Sequence, residues 1–492
     1  MRLSDLRVEG ARLVGGGGAG DVEVGGLAAD SRRVRPGLLF AALSGTRADG
    51  RAYVADALAR GAVAVLGDAS LLESPPPGVP LLVADDPRRA LALAAAAFFG
   101  RQPRTVAAVT GTNGKTSTAS FARQLWTAMG RPAASVGTLG IEAPGREPEA
   151  ALTTPEPIAL HRTLAELAGE GVEHLAIEAS SHGLDQRRLD GLSIRAAAFT
   201  NLTRDHFDYH GTEAAYLAAK RRLFDTLLPP GEGTAVLNAD VPEFAPLGAV
   251  ARARRLKVID YGREARSLRL LRQEPLPDGQ TITFAADGRE HAVSSRLVGA
   301  FQAHNLLAAF GLVLGCGDRL DEVLPHLGGI AGARGRMQLV ARHPSGAPAF
   351  VDYAHTPDAL EQALLALRPH TERRLVVVFG CGGDRDPGKR PQMGAVAVRL
   401  ADRAIVTDDN PRSEDPAAIR RQVMAGAPGA VEVGDREEAI RSALEGLEPG
   451  DLLLVAGKGH ESGQTVGDRV LPFDDAEVLR RHAVALGGEV VP

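Results

Sequence analysis

Strands that alternate with helices constrain the fold of this chain most. After residue 104, β-like runs lie at 105–109, 174–178 and 196–200, and the clearest helical stretch between them is 115–129. Strands separated by helices pair in parallel, and the helices then cover both faces of the sheet. A second series has β-like runs at 349–353, 375–379, 404–407 and 451–456. The sequence therefore predicts an α/β protein with mostly parallel sheets.

The length of the chain predicts several domains. It has 492 residues, whereas a single hydrophobic core stops growing at roughly 250–300 residues. A small α/β unit precedes Gly100, and a glycine-rich run at 328–335 separates the two later series. We predict three domains: a small N-terminal α/β domain over 1–100, a central phosphate-loop domain over 101–332 and a C-terminal domain over 333–492.

Composition and charge narrow the functional classes. The formal net charge of −5 gives no general attraction to polyanions, so nucleic acid is not an expected partner. The two cysteines lack the spacing of metal ligands, and the longest apolar stretch, 90–99, is too short to cross a bilayer. The first residues do not resemble a signal peptide. We expect a cytoplasmic protein without a membrane partner, and we predict a monomer.

A phosphate-binding loop is the strongest chemical signal. Residues 109–116 read Val-Thr-Gly-Thr-Asn-Gly-Lys-Thr between a β-like run and a helix. In such a loop, backbone N–H groups surround the phosphates, the lysine reaches the outer phosphates and the last hydroxyl binds Mg²⁺. Val109 replaces the first glycine of the full pattern, so the loop is a shortened variant; a glycine-rich turn without a ligand is the alternative. The expected nucleotide contacts are Gly111, Thr112, Asn113, Gly114, Lys115, Thr116 and Ser117.

Polar residues also follow two other predicted strands. Glu178 ends one β-like run, and His206 comes shortly after another. Because the carboxyl ends of parallel strands form the ligand-binding edge of such a sheet, we expect both residues near the phosphates. There they could hold a second Mg²⁺. Either residue alone is more often a packing or surface residue.

Four motifs together resemble the Mur ligase family, which builds the peptide of bacterial cell-wall precursors. They are Gly-Thr-Asn-Gly-Lys-Thr at 111–116, Glu-Ala-Ser-Ser-His at 178–182, Asn-Leu-Thr-Arg-Asp-His at 201–206 and His-Asn-Leu at 304–306. The motifs Asp-Ser-Arg at 30–32, Ala-Asp-Gly at 48–50, Tyr-His-Gly at 209–211 and Asp-Asn-Pro-Arg at 409–412 narrow the resemblance to the member that adds 2,6-diaminopimelate. The resemblance spans essentially the whole chain. It implies a central ATPase domain and a Rossmann-like C-terminal domain.

The resemblance also implies a reaction. ATP would phosphorylate the D-glutamate γ-carboxylate of UDP-N-acetylmuramoyl-L-alanyl-D-glutamate, and the amine of meso-diaminopimelate would attack the acyl phosphate. The expected partners are thus these small-molecule substrates, with ATP as co-substrate and Mg²⁺ as cofactor. Positioning and screening of the reacting anions would supply most of the rate enhancement.

Roles of single residues follow from the resemblance as well. Lys115, Lys220 and His206 would be catalytic. Thr116 would bind the first Mg²⁺, and Glu178 and His206 the second. Lys220 would be carbamylated, which turns its cation into a carboxylate able to assist metal binding. Sequence spacing alone suggests for Lys220 only a solvated helix lysine. The other implied contacts are Asn305, Arg336 and Asp352 with adenosine, and Ser31, Thr46, Arg47, Ala48, Thr153, Thr154, Ser180, Gln186 and Arg188 with the UDP substrate. Without the resemblance, Thr153 and Thr154 indicate a simple turn.

The C-terminal motifs would decide which amino acid is added. Diaminopimelate differs from lysine by one carboxylate, which a guanidinium can hold through two parallel hydrogen bonds. We expect Arg412 to bind that group, although Asn-Pro-Arg is by itself also a common turn. The predicted diaminopimelate contacts are Arg385, Asp409, Asn410, Pro411, Arg412, Gly457 and Glu461.

Two other interpretations stay open. Folylpolyglutamate synthase shares the architecture and the acyl-phosphate chemistry, but the motif at 30–32 argues against it. A phosphate-loop switch protein that makes no amide is the alternative from another class. The guanine-specific sequence Asn-Lys-x-Asp is absent, which opposes that alternative.

Overall fold

The structure is a computed structural model that describes residues 1–6, 8–15, 18–45, 49–146, 152–203, 205, 207–276 and 279–491. Its contacts divide the chain into two compact units, one of residues 1–260 with 308–323 and one of residues 261–307 with 324–492. In these described ranges, no helix has the length and apolar character needed to cross a membrane. Both units are α/β structures, so the predicted fold class is confirmed.

The N-terminal part of the first unit is a small sheet with helices. Its strands are β1 (Ala11–Val14), β2 (Gly26–Ala28), β3 (Leu38–Ala41), β4 (Ala64–Gly67) and β5 (Leu81–Ala84), and its helices are α1 (Val54–Ala59) and α2 (Pro87–Phe99). Strands β2 to β5 are parallel, and β1 pairs antiparallel with β5. Helix α2 begins at a side-chain cap from Asp86 and ends at Gly100, whose φ is +66°. A proline first in the helix and a left-handed glycine after it are the expected signals for these two ends.

A larger sheet forms the rest of the first unit. Its strands are β6 (Thr105–Thr110), β7 (Ala133–Gly137), β8 (Gly140–Glu142), β9 (His174–Glu178), β10 (Ile194–Phe199), β11 (Thr234–Asn238) and the start of β12 (Lys257–Gly262). The order β11–β10–β6–β9–β7–β8 places β6 between β9 and β10. These neighbours pair in parallel except for the hairpin of β7 and β8. The loops that follow β6, β9 and β10 therefore share one sheet edge.

Helices cover this sheet. They are α3 (Lys115–Ala128), α4 (Pro157–Gly169), α5 (Ser181–Asp185), α6 (Phe207–His210), α7 (Glu213–Arg222) and α8 (Phe244–Ala253). Leu160, Leu164 and Leu167 of α4 lie in one buried cluster with Leu175 and Ile177 of β9. The spacing of three to four residues puts the three leucines on one helix face, whose burial holds the helix to the sheet.

An antiparallel meander in the second unit was not predicted. It consists of β13 (Leu268–Leu276), β14 (Gly279–Ala286) and β15 (Arg289–Ser295), and it is followed by α9 (Ala300–Gly315) and α10 (Leu320–Val323). Strand β13 pairs with the last two residues of β12 in parallel and with β14 antiparallel. Alternate side chains of β15 are exposed, so this strand lacks the continuous apolar run of the parallel strands.

The C-terminal part is a second doubly covered sheet. Its strands are β16 (Gln338–Arg342), β17 (Pro348–Asp352), β18 (Leu375–Phe379), β19 (Arg403–Val406), β20 (Val431–Glu432), β21 (Leu452–Ala456) and β24 (Glu489–Val490), beside a hairpin of β22 (Gly463–Val466) and β23 (Arg469–Pro472). Its helices are α11 (Pro357–Leu367), α12 (Lys389–Leu400), α13 (Pro416–Met424), α14 (Arg436–Glu445) and α15 (Asp475–Leu486). The sheet order is β20–β19–β18–β21–β17–β16–β24, parallel from β20 to β17. Separate hydrophobic clusters lie on its two faces.

Candidate active site

The phosphate loop has the backbone that its glycines predict. Gly111 has a φ of +144° and Gly114 a φ of +87°. Residues that carry a Cβ atom rarely adopt these backbone angles. A Cβ on Gly111 would lie 1.9 Å from Thr200 Oγ1, so this position has no room for a larger residue. Helix α3 begins at Lys115, and Thr116 and Ser117 follow in its first turn. The loop thus turns directly from β6 into a helix N-terminus, where anions are stabilised.

Thr200 and Asn201, which directly follow β10, hold the phosphate loop in place. The backbone N–H of Asn113 donates to Asn201 Oδ1 at 2.9 Å, and that of Thr112 donates to the Asn201 carbonyl oxygen at 2.8 Å. The Thr200 hydroxyl donates to the Asn113 carbonyl oxygen at 2.6 Å. These contacts preorganise the loop. The motif at 201–206 pointed to this segment, but sequence analysis gave Thr200 and Asn201 no role.

Two lysines share one acceptor beneath the loop. Lys115 Nζ and Lys220 Nζ donate to the Gly111 carbonyl oxygen at 3.0 Å and 2.7 Å. Lys220 is buried, and its Nζ lies 4.3 Å from the centre of the Tyr216 ring. Desolvation, followed by the charge of Lys115, holds the pKa of Lys220 well below its ordinary value. The solvated lysine suggested by spacing alone is therefore wrong, because α7 places this side chain against the loop.

Glu178 and Thr116 line one small pocket. Glu178 is the last residue of β9. Its buried carboxylate accepts from the Thr138 backbone N–H at 2.7 Å and from the Thr138 hydroxyl at 3.2 Å. A carboxylate has about four acceptor sites, so it retains capacity for a cation. Sequence analysis missed Thr138, which no motif marked.

This donor set fits magnesium. Mg²⁺ takes oxygen ligands and is commonly bound by one or two carboxylates together with substrate phosphates, and the pocket supplies the Thr116 hydroxyl and the Glu178 carboxylate. No group of three or more His, Cys, Asp or Glu side chains suited to a metal occurs among the residues that the structure describes. His206, the other predicted ligand, lies outside those residues.

The residues predicted to bind the muramoyl dipeptide form one network. The Thr154 hydroxyl donates to the Glu178 carbonyl oxygen at 2.8 Å and lies 3.0 Å from Ser180 Oγ. Arg188 donates to the Thr154 carbonyl oxygen and to Gln186 Oε1, both at 2.7 Å. The fold therefore brings Thr154, Ser180, Gln186 and Arg188 together. Thr153 joins the network through its hydroxyl, 3.1 Å from that of Thr138.

The predicted uridine-side residues are only partly described. Ser31 is buried in the N-terminal part of the first unit. A hydrogen bond from Ser31 lowers the pKa of the Asp56 carboxyl, and a hydrogen bond from Arg60 is the next largest cause of this shift. Thr46, Arg47 and Ala48 lie outside the described residues.

In the second unit, two of the three predicted adenosine contacts are neighbours. The Arg336 guanidinium lies 4.6 Å from the centre of the Tyr353 ring, and the charge of Arg336 acts on Asp352. Asp352 accepts from the backbone N–H groups of Met337 at 2.7 Å and Ala354 at 2.8 Å. Burial nevertheless raises the pKa of Asp352, because the cost of removing the charged carboxylate from water exceeds the stabilisation that these contacts provide.

Asn305, the third predicted adenosine contact, lies on α9. Its side-chain amide donates to Gln302 Oε1 at 2.9 Å. No hydrogen bond in the described part of the chain joins Asn305 to Arg336 or Asp352.

The Asp-Asn-Pro-Arg motif follows β19 and has a fixed geometry. Asn410 Nδ2 donates to Glu461 Oε2 at 2.8 Å. Arg412 has a φ of +53°, and its Nη1 donates to the Gly383 carbonyl oxygen at 2.8 Å. The structure therefore brings Asn410 and Glu461, predicted from separate motifs, into contact.

The remaining predicted diaminopimelate contacts lie around this motif. A Cβ on Gly457 would lie 2.5 Å from Asp409 Oδ2, and that oxygen is buried without a hydrogen-bond partner among the described residues. Pro411 approaches Gly383, where a Cβ would lie 1.9 Å from the proline carbonyl oxygen. Arg385 is exposed, and its guanidinium donates to the Asp384 carbonyl oxygen at 3.1 Å. Asp409 and Gly457 are thus brought together, whereas no described hydrogen bond ties Arg385 to them.

Fold and site together define a phosphate-loop protein with a parallel α/β sheet, in which a buried carboxylate lies beside the loop. Models of three domains match the chain. They are "Mur ligase family, catalytic domain" at residues 23–99, "Mur ligase middle domain" at 109–313 and "Mur ligase, glutamate ligase domain" at 335–459. The chain belongs to the Mur ligase family.

Individual proteins are similar over nearly the whole chain. A UDP-N-acetylmuramoyl-L-alanyl-D-glutamate–2,6-diaminopimelate ligase of Mesorhizobium japonicum is 53% identical over 480 residues, which cover 98% of each chain. A solved structure with the same enzyme name is 33% identical, with a TM-score of 0.74 and 99% coverage of each chain. A Mycobacterium tuberculosis folylpolyglutamate synthase is 20% identical, with a TM-score of 0.63, over 80% of this chain and 94% of that one. At that identity, the last likeness shows the fold alone.

Proposed function

We propose that this chain is an ATP-dependent ligase that joins meso-diaminopimelate to the D-glutamate γ-carboxylate of UDP-N-acetylmuramoyl-L-alanyl-D-glutamate. The observation that carries the proposal is that Thr116 of the phosphate loop and Glu178 of the neighbouring strand line the same pocket. Relatives at 53% and 33% identity, similar over nearly the full length, are named as ligases of UDP-N-acetylmuramoyl-L-alanyl-D-glutamate and 2,6-diaminopimelate. The reaction belongs to the synthesis of peptidoglycan precursors.

The phosphate loop would bind ATP and position its γ-phosphoryl group. Its backbone N–H groups and the N-terminus of α3 would stabilise the phosphate oxygens, and Lys115 would reach the outer phosphates. The γ-carboxylate oxygen would attack the γ-phosphorus, so that an acyl phosphate forms and ADP leaves. Arg336, Asp352 and Asn305 would contact adenosine. Because two anions must meet in this step, charge screening and alignment would account for most of the rate enhancement.

Thr116 and Glu178 would hold Mg²⁺, and His206 and a carbamylated Lys220 would complete the set of metal-binding residues. When bound, Mg²⁺ would neutralise charge on the phosphates. The buried position of Glu178 and its contacts with Thr138 keep the carboxylate oriented toward this pocket.

The environment of Lys220 supports its carbamylation. Because its pKa is held well below the ordinary value, the uncharged amine with its lone pair is favoured over the ammonium. That lone pair can attack the carbon of CO₂, and the nitrogen then loses a proton, which leaves a carbamate anion. Two ammonium groups that share the Gly111 carbonyl oxygen would repel each other, whereas a carbamate beside Lys115 would attract it.

The network around Thr154 would position the muramoyl dipeptide. Ser180 is the N-cap of α5, and its Oγ accepts from the Gly183 backbone N–H at 3.0 Å, so the fold holds this hydroxyl at a helix N-terminus. Arg188, Gln186 and Thr153 supply further polar groups. Ser31 and residues 46–48 would contact the uridine end.

The loop after β19 would select the amino acid. The far end of meso-diaminopimelate carries a carboxylate and an ammonium. Arg412 would bind the carboxylate, and Glu461 with Asp409 would accept hydrogen bonds from the ammonium; Asn410, Pro411, Gly457 and Arg385 would complete the set. The amine lone pair at the reacting end would attack the acyl carbon, inorganic phosphate would leave, and the nitrogen would lose a proton to give the amide.

Three expectations accompany this proposal. They are the division into domains at residues 100 and 332, a monomeric state and a cytoplasmic location. The matched segments 23–99, 109–313 and 335–459 support the first of these.

The test is ADP release by the purified protein with UDP-N-acetylmuramoyl-L-alanyl-D-glutamate, supplied with meso-diaminopimelate, L-lysine or neither, with the product mass measured in parallel. ADP release and the mass of the tripeptide only with meso-diaminopimelate would support reaction and specificity together. Turnover with lysine would leave a ligase but remove Arg412 as the selecting residue. Without turnover in any arm, the proposal fails and the folate substrate becomes the next one to assay.

A further inference from the structure

A buried lysine without a role in the proposed reaction lies beside the loop after β19. Lys458 follows Gly457 at the end of β21, and its side chain is fully buried. Its ammonium donates to Asn410 Oδ1 at 3.2 Å, to Glu461 Oε2 at 3.3 Å and to the Gly463 carbonyl oxygen. An ammonium has three N–H donors, so these acceptors satisfy it completely.

Lys458 is one of three groups that together orient the Asn410 amide. Asn410 Oδ1 accepts from Lys458 and also from the Thr465 backbone N–H at 2.9 Å, while Nδ2 donates to Glu461 Oε2 at 2.8 Å. If the amide were flipped, its NH₂ group would face an ammonium and a backbone N–H, and its oxygen would face a carboxylate. One orientation is therefore strongly favoured.

Lys458 also directs the Glu461 carboxylate. Both described donors to this group, Lys458 Nζ and Asn410 Nδ2, contact the same oxygen, Oε2. No hydrogen bond to Oε1 occurs within the described part of the chain. The side chain of Glu461 is about one-third exposed, so Oε1 remains available to a positively charged ligand.

The third acceptor extends this arrangement to Arg412. Gly463 is the first residue of β22, whose Thr465 carbonyl oxygen accepts from the Arg412 backbone N–H at 3.0 Å. After β22, the Gly467 N–H donates to the Arg412 carbonyl oxygen at 2.7 Å. Lys458 thus joins three chain segments that fix the backbone of Arg412, the orientation of Asn410 and one oxygen of Glu461.

We propose that Lys458 is a positioning residue for amino acid selection. By holding Asn410, Glu461 Oε2 and the β22 hairpin, it presents Glu461 Oε1 and the Arg412 guanidinium to the ammonium and the carboxylate at the far end of the incoming diamino diacid. Lys458 itself does not contact the substrate. This inference rests on the proposed function and concerns the same site.

The test replaces Lys458 by methionine, which has a similar length but neither charge nor donors. Because Lys458 orients two groups that would contact the far end of the amino acid, the KM for meso-diaminopimelate should rise about tenfold to hundredfold, which corresponds to ~1.4–2.7 kcal/mol. The KM values for ATP and for the UDP substrate, and kcat at saturation, should change less than about twofold. Discrimination against lysine should fall in parallel.

Arg374→Met is the matched control. Arg374 is a cation paired with the buried Asp451 at 2.6 Å. The two residues directly precede β18 and β21, whereas Lys458 follows the carboxyl end of β21. This variant should lower thermal stability but leave the KM for meso-diaminopimelate unchanged. If Lys458→Met is insoluble, Lys458→Gln serves in the same comparison, because it removes the charge and offers two N–H donors in place of three for the same acceptors.

The outcomes separate the two proposals. Failure of the wild-type protein to form an amide overturns the proposed function; if it uses another amino acid, the KM comparison is made with that one. Given an active wild type, an increase confined to the KM for the amino acid supports the positioning role. An unchanged KM in the Lys458 variants, or equal changes in all three KM values and in kcat, overturns it.

Discussion

Replacement of Lys220 by alanine tests the chemistry proposed for the buried amine. The substitution removes a group that donates to the Gly111 carbonyl oxygen at 2.7 Å and, when carbamylated, would help to hold the Mg²⁺ that neutralises charge on the phosphates. Loss of one group that stabilises transition-state charge costs ~2.7–4 kcal/mol, or about 10²–10³ in kcat. The truncation also leaves space in which a small carboxylate fits. Acetate or formate should therefore restore activity by about tenfold, which requires ~1.4 kcal/mol.

The assay is ADP release by Lys220→Ala with and without acetate or formate. Arg221→Ala is the control, because Arg221 is the next residue of α7 but is exposed and paired with Asp225 at 2.9 Å. The control should keep its activity and should not respond to the additives. Full activity of Lys220→Ala without additives, or equal stimulation of the control, would refute the reasoning.

Stability of the same proteins gives a second readout. Because folding lowers the pKa of Lys220, the unfolded chain binds more protons than the folded one between the folded pKa and about 10.4. In that window the free energy of unfolding rises with pH, by at most ~1.4 kcal/mol per pH unit from this group. In CO₂-free buffer, urea unfolding should show this contribution in the wild type but not in Lys220→Ala.

Three further predictions concern the loop, the carboxylate and the selecting arginine. Gly111→Ala should cost ~1–3 kcal/mol in backbone strain, in addition to the clash with Thr200, and should abolish ATP turnover. The control Gly130→Ala is also at positive φ but has open space around it, so this variant should remain active. Comparable activities of the two variants would contradict the prediction. Glu178→Gln should lower kcat about 10²–10³-fold and raise the Mg²⁺ concentration for half-maximal activity, measured by titration; an unchanged titration would remove Glu178 from the metal-binding set. Arg412→Ala should raise the KM for meso-diaminopimelate about tenfold to hundredfold with the KM for ATP unchanged, and undiminished discrimination against lysine would count against it.

Local sequence patterns determined the elements that depend on neighbouring residues. The phosphate loop was predictable because Gly111 and Gly114 permit its positive φ angles and Lys115 opens a helix. Strands β9 and β18 span residues 174–178 and 375–379, the bounds that the sequence predicted. The loop was thus determined by sequence, as were the α/β class and the edge of the sheet that carries the polar residues.

The meander β13–β15 shows where such patterns fail. Its strands are partly exposed, so polar side chains break the apolar signal, and their pairing is set by contacts with neighbouring strands instead. Thr138 was missed for a similar reason, since a hydroxyl and a backbone N–H in a hairpin turn have no distinctive pattern in sequence.

The chemistry of the site was decided only by the tertiary structure. Lys220 lies 109 residues after Gly111, and Lys458 lies 48 residues after Asn410. In sequence each of these lysines is an ordinary cation; in the fold each is removed from water and must find acceptors within reach. Burial and partners determine how such a group behaves, and both follow from strand order and helix packing, which bring distant segments together.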